Sequence, residues 1–291
     1  MPATFHKSAL LIAGPTASGK SALALRLALE RNGVIINADS MQVYRELRIL
    51  SARPSEEEEA QASHRLYGHV SGGDDYSAGR WLGDATAAIT AAWQAEQVPI
   101  ICGGTGLYFM ALENGLSRIA AIPADIRETW RSYGGDLHAA LRLRDPIMAA
   151  RLAAGDRQRI IRALEVMEGT GRSLADWQAE GERNAFLNQI KVERHFVDVP
   201  REQLYERAER RFDMMMEQGA LDEVEALPPF EPSRPVMKAI GVPQLLAHLR
   251  GEISRDDAVR DAKTATRHYI KRQMTWWRGQ MKGWHTAQAL G

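Results

Sequence analysis

The chain has 291 residues, enough for one large or two modest domains with a proper core. Apolar residues make up 45% and charged residues 25%, and 37 basic against 37 acidic residues leave no net charge, so nucleic-acid contacts must come from local clusters and not from a global positive field. One cysteine, Cys102, excludes an internal disulfide, no apolar run approaches the roughly 20 residues that span a bilayer, and no secretory leader opens the chain, which together point to the cytoplasm and away from membranes.

The run Ala9-Leu10-Leu11-Ile12-Ala13 reads as a buried strand, and Ser21 to Leu29 as an Ala/Leu-rich helix. Between them lies Gly14-Pro15-Thr16-Ala17-Ser18-Gly19-Lys20-Ser21, which fits the phosphate-loop pattern G-x-x-x-x-G-K-[ST] at every fixed position. A strand, a glycine loop and a helix start gather backbone N–H groups around one anion. Gly14 and Gly19 open backbone conformations closed to other residues. Lys20 offers a point charge for terminal phosphate oxygens, and Ser21 a hydroxyl for Mg²⁺. The loop signals a di- or triphosphate without saying whose.

A second strand, Gly33 to Ala38, ends in Asp39-Ser40-Met41-Gln42-Val43-Tyr44. Ligands of open α/β sheets sit outside the carboxyl ends of strands, which places Asp39 beside the phosphate loop. There it holds Mg²⁺, binds a ribose hydroxyl, accepts a proton, or merely caps the next helix. The four glutamates Glu56 to Glu59 suit a solvated helix start. Tyr76 to Gln97 reads as a long helix in which Trp81 and Trp93 are packing residues. Val98 to Cys102 forms a further buried strand, and Gly103-Gly104-Thr105-Gly106-Leu107-Tyr108 makes a second glycine-rich strand-to-helix turn on the same rim.

From about Ser117 to Gln189 no strand is visible. Short amphipathic helices alternate with Gly and Pro breaks, at 124–133, 136–143, 146–153, 156–168 and 174–180, as in a helical insertion. Arg159 and Arg162 share one face of the fourth, opposite Ile160 and Leu164, as a solvated surface or as a phosphate clamp. Gln189 to Val199 alternates as a returning strand, and Arg201 to Gln218 is helical with Arg207, Arg210 and Arg211 on it. Pro243 marks a break or a first helical turn within Val236 to Leu249. The last long helix starts at a capping box, Ser254 with Asp257. It carries the stripe Val259, Ala262, Thr266, Tyr269, Gln273 and Trp276, with Lys263, Arg267 and Lys271 along another face. Eight basic residues against three acidic between Arg255 and Lys282 suggest a phosphate-backbone footprint. The expected fold is α/β: a P-loop NTPase-like parallel sheet core in 1–116 and 190–291, an inserted helical domain in 117–189, and a C-terminal helical extension.

Four segments together resemble the tRNA dimethylallyltransferases, also called tRNA isopentenyl transferases: GPTASGKS (14–21), DSMQVY (39–44), GGTGLY (103–108) and TRHYIKRQMTWWR (266–278). RDP (144–146), DRQRIIRALEV (156–166) and KAIGVPQ (238–244) are weaker echoes, so the resemblance runs over nearly the whole chain. It departs at Ser51-Ala52-Arg53-Pro54, where the family usually has a GTAKP-like segment, and at Val242-Pro243, where an aromatic and a basic residue are more common.

The resemblance implies transfer of a dimethylallyl group from dimethylallyl diphosphate to the exocyclic amine of the adenine next to a tRNA anticodon. Residues 14–21 (Gly14, Pro15, Thr16, Ala17, Ser18, Gly19, Lys20 and Ser21) then hold the diphosphate, with Mg²⁺ on Ser21. Asp39 is the general base, Thr105 hydrogen-bonds the target or orients it, and Arg211 stabilises the leaving group. The adenine leaves its stack to reach the site. The implied tRNA contacts are Asp39, Ser40, Met41 and Gln42; Thr105; Arg127; Gln158, Arg159, Ile160, Ile161 and Arg162; Lys238, Ala239, Ile240, Gly241, Val242 and Pro243; and Lys271, Arg272, Gln273, Met274, Thr275, Trp276, Trp277 and Arg278. The partner is the anticodon stem–loop, and the protein is expected to act as a monomer. Two other classes compete. One is a phosphate-loop kinase for a nucleoside or small metabolite, which leaves the basic C-terminus unused. The other is a non-catalytic RNA-binding module, which leaves Lys20, Ser21 and Asp39 unused.

Overall fold

A computed structural model describes residues 7–116, 119–183, 185–188, 190–280 and 283–287. The chain divides into two compact units, Met1–Phe109 with Gln189–Gly291, and Met110–Asn188. Ser117, Gln189 and Lys282, which bound the insertion and the basic footprint in the sequence reading, lie outside the described residues.

The first unit is built on a six-stranded sheet: β1 (Ser8–Ala13), β2 (Gly33–Asn37), β3 (Ser63–Arg65), β4 (Val98–Gly103), β5 (Lys191–Val197) and β6 (His285–Ala287), in the spatial order β3-β2-β4-β1-β5-β6. All neighbours pair in parallel. β1, β2 and β4 are unbroken apolar runs because helices cover both of their faces. β3 and β6 have three residues each and no apolar alternation, so no period marked them as strands.

Around the sheet lie α1 (Lys20–Arg31), α2 (Glu56–Gln61), α3 (Ala78–Gln94) and the start of α4 (Gly106–Asn114). On one side Leu10, Ile12, Ile35 and Ile100 pack with Leu23 and Leu27 of α1. Each such buried Leu or Ile contributes about 1.5–3 kcal/mol. Trp81 of α3 is fully buried, stacks on Tyr108 at 4.2 Å between ring centroids, and donates its indole N–H to the Asn37 carbonyl at 2.8 Å. Trp93 likewise donates to the Ser8 carbonyl at 2.8 Å. The acidic run 56–59 opens α2 behind a true capping box, Ser55 with Glu58.

The second unit holds α5 (Ala124–Ser132), α6 (Leu137–Arg144), α7 (Pro146–Arg151), α8 (Arg157–Thr170) and α9 (Leu174–Arg183). Its own core gathers Trp130, Leu141, Met148, Ile160 and Leu164. The RDP echo proves architectural. Asp145 is buried, caps α7 through the Met148 N–H at 3.1 Å and accepts the Ser173 hydroxyl at 2.8 Å.

The chain returns through β5 into α10 (Arg201–Glu217), α11 (Ala220–Glu225), a 3₁₀ turn at Pro235–Lys238, α12 (Val242–Leu249) and the long α13 (Arg255–Gln280). Pro243 sits in the first turn of α12, where its missing N–H costs nothing. Glu223 of α11 accepts the backbone N–H groups of Arg48, Ile49 and Leu50 at 2.6, 2.7 and 2.9 Å, pinning the segment that follows Asp39. Nothing in the pattern of six residues marked α11 beforehand.

Candidate active site

The parallel order brings the carboxyl ends of β1, β4 and β2 side by side. The phosphate loop, the 103–108 turn and Asp39 leave these three strands on one rim. Two backbone bonds join the last pair: Ala38 N–H to the Cys102 carbonyl at 2.8 Å, and Thr105 N–H to the Ala38 carbonyl at 3.1 Å.

In the phosphate loop the left-handed conformations fall at Ala17 (φ 64°) and Gly19 (φ 86°). Gly14 serves differently from the sequence expectation. Its conformation is ordinary, but a Cβ there would lie 2.7 Å from Ser18 Oγ, so its role is space. No side chain caps α1, which leaves the first-turn N–H groups for an anion. Ser18 is fully buried, and its hydroxyl has no partner among the described residues. Lys20 Nζ donates to the Pro15 carbonyl at 3.3 Å and so folds back over the loop. Burial holds the Lys20 ammonium below its ordinary pKa; Cys102 and Asp39 oppose that shift, and Arg211 adds to it. Burial also lowers the Arg211 guanidinium, with Asp39 opposing. Two cations therefore sit partly desolvated at one place, an arrangement an anion relieves. Cys102 behaves as a small buried hydrophobe, its thiol pushed up to about 12 by burial.

Asp39 is held by its own neighbourhood. Its N–H donates to Asn37 Oδ1 at 2.8 Å, its carbonyl accepts Asn37 Nδ2 at 2.9 Å, and its Oδ1 accepts the Met41 N–H at 2.9 Å. The last bond closes a tight turn and caps no helix. Thr105 Oγ1 accepts the Ser40 N–H at 2.9 Å, so its hydroxyl ties the two walls together.

Two cavities open at this rim. One, about 450 Å³, is lined by Ala17, Gly19, Lys20, Ser21, Arg207, Arg210, Arg211 and Met214. The other, about 250 Å³, is lined by Thr16, Asp39, Ser40, Met41, Phe212, Met215, Lys238, Ile240, Tyr269 and Arg272, among others. Arg211 lines both. Spacing at i, i+3 and i+4 aims Arg207, Arg210 and Arg211 off one face of α10 while Leu204, Ala208, Phe212 and Met215 are buried. The sequence named all three arginines, and the family resemblance singled out Arg211 alone. Tyr269, assigned there to a packing stripe, is a wall of the cavity.

Among the described residues lining the first cavity, the Ser21 hydroxyl is the one group suited to a divalent cation, whose other ligands would be water and phosphate oxygens of a substrate. Mg²⁺ tolerates this, since it keeps several waters and takes few protein ligands. Among the described residues no cluster of three His, Cys, Asp or Glu could hold a metal by itself.

The tRNA set divides by exposure. Arg127, Gln158, Arg159 and Arg162 are exposed on the second unit, and Lys238, Pro243, Lys271, Arg272, Thr275 and Arg278 on the first. Ile160, Ala239, Val242, Gln273, Met274 and Trp277 are buried. Ala239 among them also lines the Asp39 cavity; the side chains of the other five fill cores and hold their neighbours in place. Trp277 meets Phe109 and Phe196 at 5.4 Å, and Trp276 lies over Gly106, where a Cβ would fall 2.1 Å from its ring. The basic footprint also contracts. Lys263 is paired with Asp213 at 2.6 Å and Arg267 with Glu209, both acids on α10, so these two cations are spent within the fold. Arg159 pairs with Asp156 at 3.5 Å and Arg162 with the buried Glu165 at 3.4 Å.

No helix among the described residues is long and apolar enough to cross a membrane. Compared with known proteins, residues 42–280 match the family model for IPP transferase, and residues 7–72 that for isopentenyl transferase. The chain is 54% identical over 283 residues to the tRNA dimethylallyltransferase of Azorhizobium caulinodans, covering 95% of this chain and 90% of that one. It is 51% identical over 288 residues to that of Methylocella silvestris, covering 97% and 95%. Among solved structures it superposes on the full-length tRNA isopentenylpyrophosphate transferase of Bacillus halodurans with a TM-score of 0.70 and 30% identity, covering 98% of this chain and 91% of that one. A eukaryotic dimethylallyltransferase acting on tRNA gives a TM-score of 0.83 at 27% identity, covering 97% and 74%.

Proposed function

This chain belongs to the IPP transferase family of tRNA dimethylallyltransferases and transfers a dimethylallyl group to tRNA; from that premise we propose that its donor is dimethylallyl diphosphate and its acceptor the exocyclic amine of the adenine next to the anticodon. The observation that carries this reading is Arg211, which lines both the cavity of the phosphate loop and the cavity of Asp39. A departing diphosphate and an attacking amine thus share one guanidinium wall.

The diphosphate lies against the first-turn N–H groups of α1, with Lys20, Arg207, Arg210 and Arg211 around it. As the bond from the allylic carbon to oxygen breaks, charge gathers on the diphosphate oxygens, and these cations, fixed beforehand and partly desolvated, stabilise it. Ser21 would hold Mg²⁺, which would supply further charge neutralisation. The adenine amine forms the new carbon–nitrogen bond and gives a proton to Asp39. Thr105, through the Ser40 N–H, keeps the acceptor wall in register. The base enters unstacked, against Tyr269 and the apolar side chains of Met41, Phe212 and Met215. On the sheet unit Lys238, Lys271, Arg272 and Arg278 take the stem–loop chiefly through its phosphates, and the helical unit by itself offers Arg127, Gln158, Arg159 and Arg162 for tRNA contact. The protein acts as a monomer in the cytoplasm.

Incubating unmodified tRNA with labelled dimethylallyl diphosphate and Mg²⁺ tests the reading: label should enter the adenine beside the anticodon, and ATP should compete poorly with the donor. Label entering another nucleotide would overturn the assigned acceptor, whereas no transfer together with ATP bound more tightly than the donor would favour the kinase alternative.

A further inference from the structure

We propose that Gln273 is a positioning residue that clamps the phosphate loop to the 103–108 turn, fixing the distance between donor and acceptor walls; this rests on the reaction assigned above. The side chain is only 6% exposed. Its Oε1 accepts the Thr16 N–H at 3.0 Å, and its Nε2 donates to the Gly104 carbonyl at 3.0 Å. The amide has one possible orientation, because one partner can only donate and the other can only accept. A Cβ on Gly104 would lie 2.5 Å from Nε2, so the second glycine of the turn is what admits the amide.

A packing role does not account for an amide here. Gln273 lies beside Ile270, Met274 and Trp277 on the buried face of α13, where an apolar side chain would fill the space without the cost of burying polar atoms. The two bonds it makes both end on walls of the site. Thr16 is in the middle of the phosphate loop. Gly104 precedes Thr105, whose hydroxyl holds the Ser40 N–H next to Asp39. Hydrogen bonds through Gln273, joined by the Gly104–Thr105 peptide, therefore connect the diphosphate cradle to the acceptor wall. It also takes the Thr16 N–H away from the anion, so the loop offers its ligand one amide fewer. Displacement at an allylic carbon needs the nitrogen and the leaving oxygen in line, with reacting atoms about 3–3.5 Å apart, and a misplacement of about 1 Å costs on the order of 10²-fold.

The test is Gln273→Met, which keeps the volume and removes both bonds. The readouts are single-turnover transfer to an anticodon stem–loop, dissociation constants for inorganic pyrophosphate and for the stem–loop, and the Tm. The expected result is a transfer rate lower by about 10- to 10²-fold, with both dissociation constants within about threefold and a modest fall in Tm from the Thr16 N–H and Gly104 carbonyl left without partners. Should the Met variant fail to fold, Gln273→Glu decides. It keeps the acceptor for the Thr16 N–H and loses the donor to Gly104, so its rate should also fall while it remains folded. A native rate in a folded variant overturns the inference. So does a rate loss matched by equal losses of pyrophosphate and RNA affinity, which is what general loosening produces. Native protein that transfers no label overturns the functional reading and this inference with it, whereas an active native protein with an unaffected variant overturns this inference alone.

Discussion

Replacing Asp39 by Asn isolates the proton transfer. The backbone of Asp39 is held by Asn37, and its Oδ1 accepts the Met41 N–H at 2.9 Å. A carboxamide keeps that oxygen, so the turn survives and only the charge and the proton-accepting capacity are removed. General-base catalysis is worth about 10²–10⁴-fold, or about 3–5 kcal/mol of barrier. Two smaller effects on the donor oppose each other. Asp39 favours the charged forms of Lys20 and Arg211, which helps bind a diphosphate, while its own charge repels one. Pyrophosphate affinity should therefore move by less than about tenfold. Rapid-quench single-turnover transfer, with stem–loop affinity measured in parallel, separates the contributions. The expected outcome is a rate lower by about 10² or more with RNA affinity changed only several-fold. An unchanged rate would remove Asp39 from the chemistry, and a loss of RNA affinity equal to the loss of rate would make it a binding residue.

Lys271 is exposed, whereas Lys263 is spent on Asp213. Lys271→Ala should reduce the slope of log affinity for tRNA against log salt by about 0.7–0.9, and the double replacement of Lys263 and Asp213 by Ala should leave it unaltered. Gly106→Ala should destabilise the protein by about 1–3 kcal/mol in denaturant unfolding, because the added methyl would meet the Trp276 ring, and Trp276→Ala should recover part of that loss. Burial holds the His195 imidazole below its ordinary 6.5; Arg31 and His285 add to the shift and Glu193 opposes it. A base with a lowered folded pKa gives its full contribution above 6.5 and loses it as pH falls toward the folded value. His195→Gln should therefore flatten the fall of Tm as pH drops below about 6.5, and an unchanged slope would place the acid sensitivity elsewhere.

Local chemistry settled much of this protein in advance. The phosphate loop is legible because each of its parts acts within a few residues: an apolar strand, residues whose backbone or missing Cβ makes the nest, a lysine and a hydroxyl. Continuous apolar runs marked β1, β2 and β4 because a strand covered on both faces can be little else, and Pro and Gly punctuation marked the five helices of the second unit. The sequence could not weigh interactions between distant segments. Periodicity put Lys263, Arg267 and Lys271 on one basic face, but only the packing of α10 against α13 showed two of them neutralised by Asp213 and Glu209. The motif around 266–278 read as an RNA-facing segment, yet a helix has an inner side. The fold turned Gln273, Met274 and Trp277 inward, where one amide reaches partners 169 and 257 residues away. Composition and local pattern fix what a segment is, because those forces act over a turn or a strand; which of its charges and amides remain available is decided by what the rest of the chain lays against it.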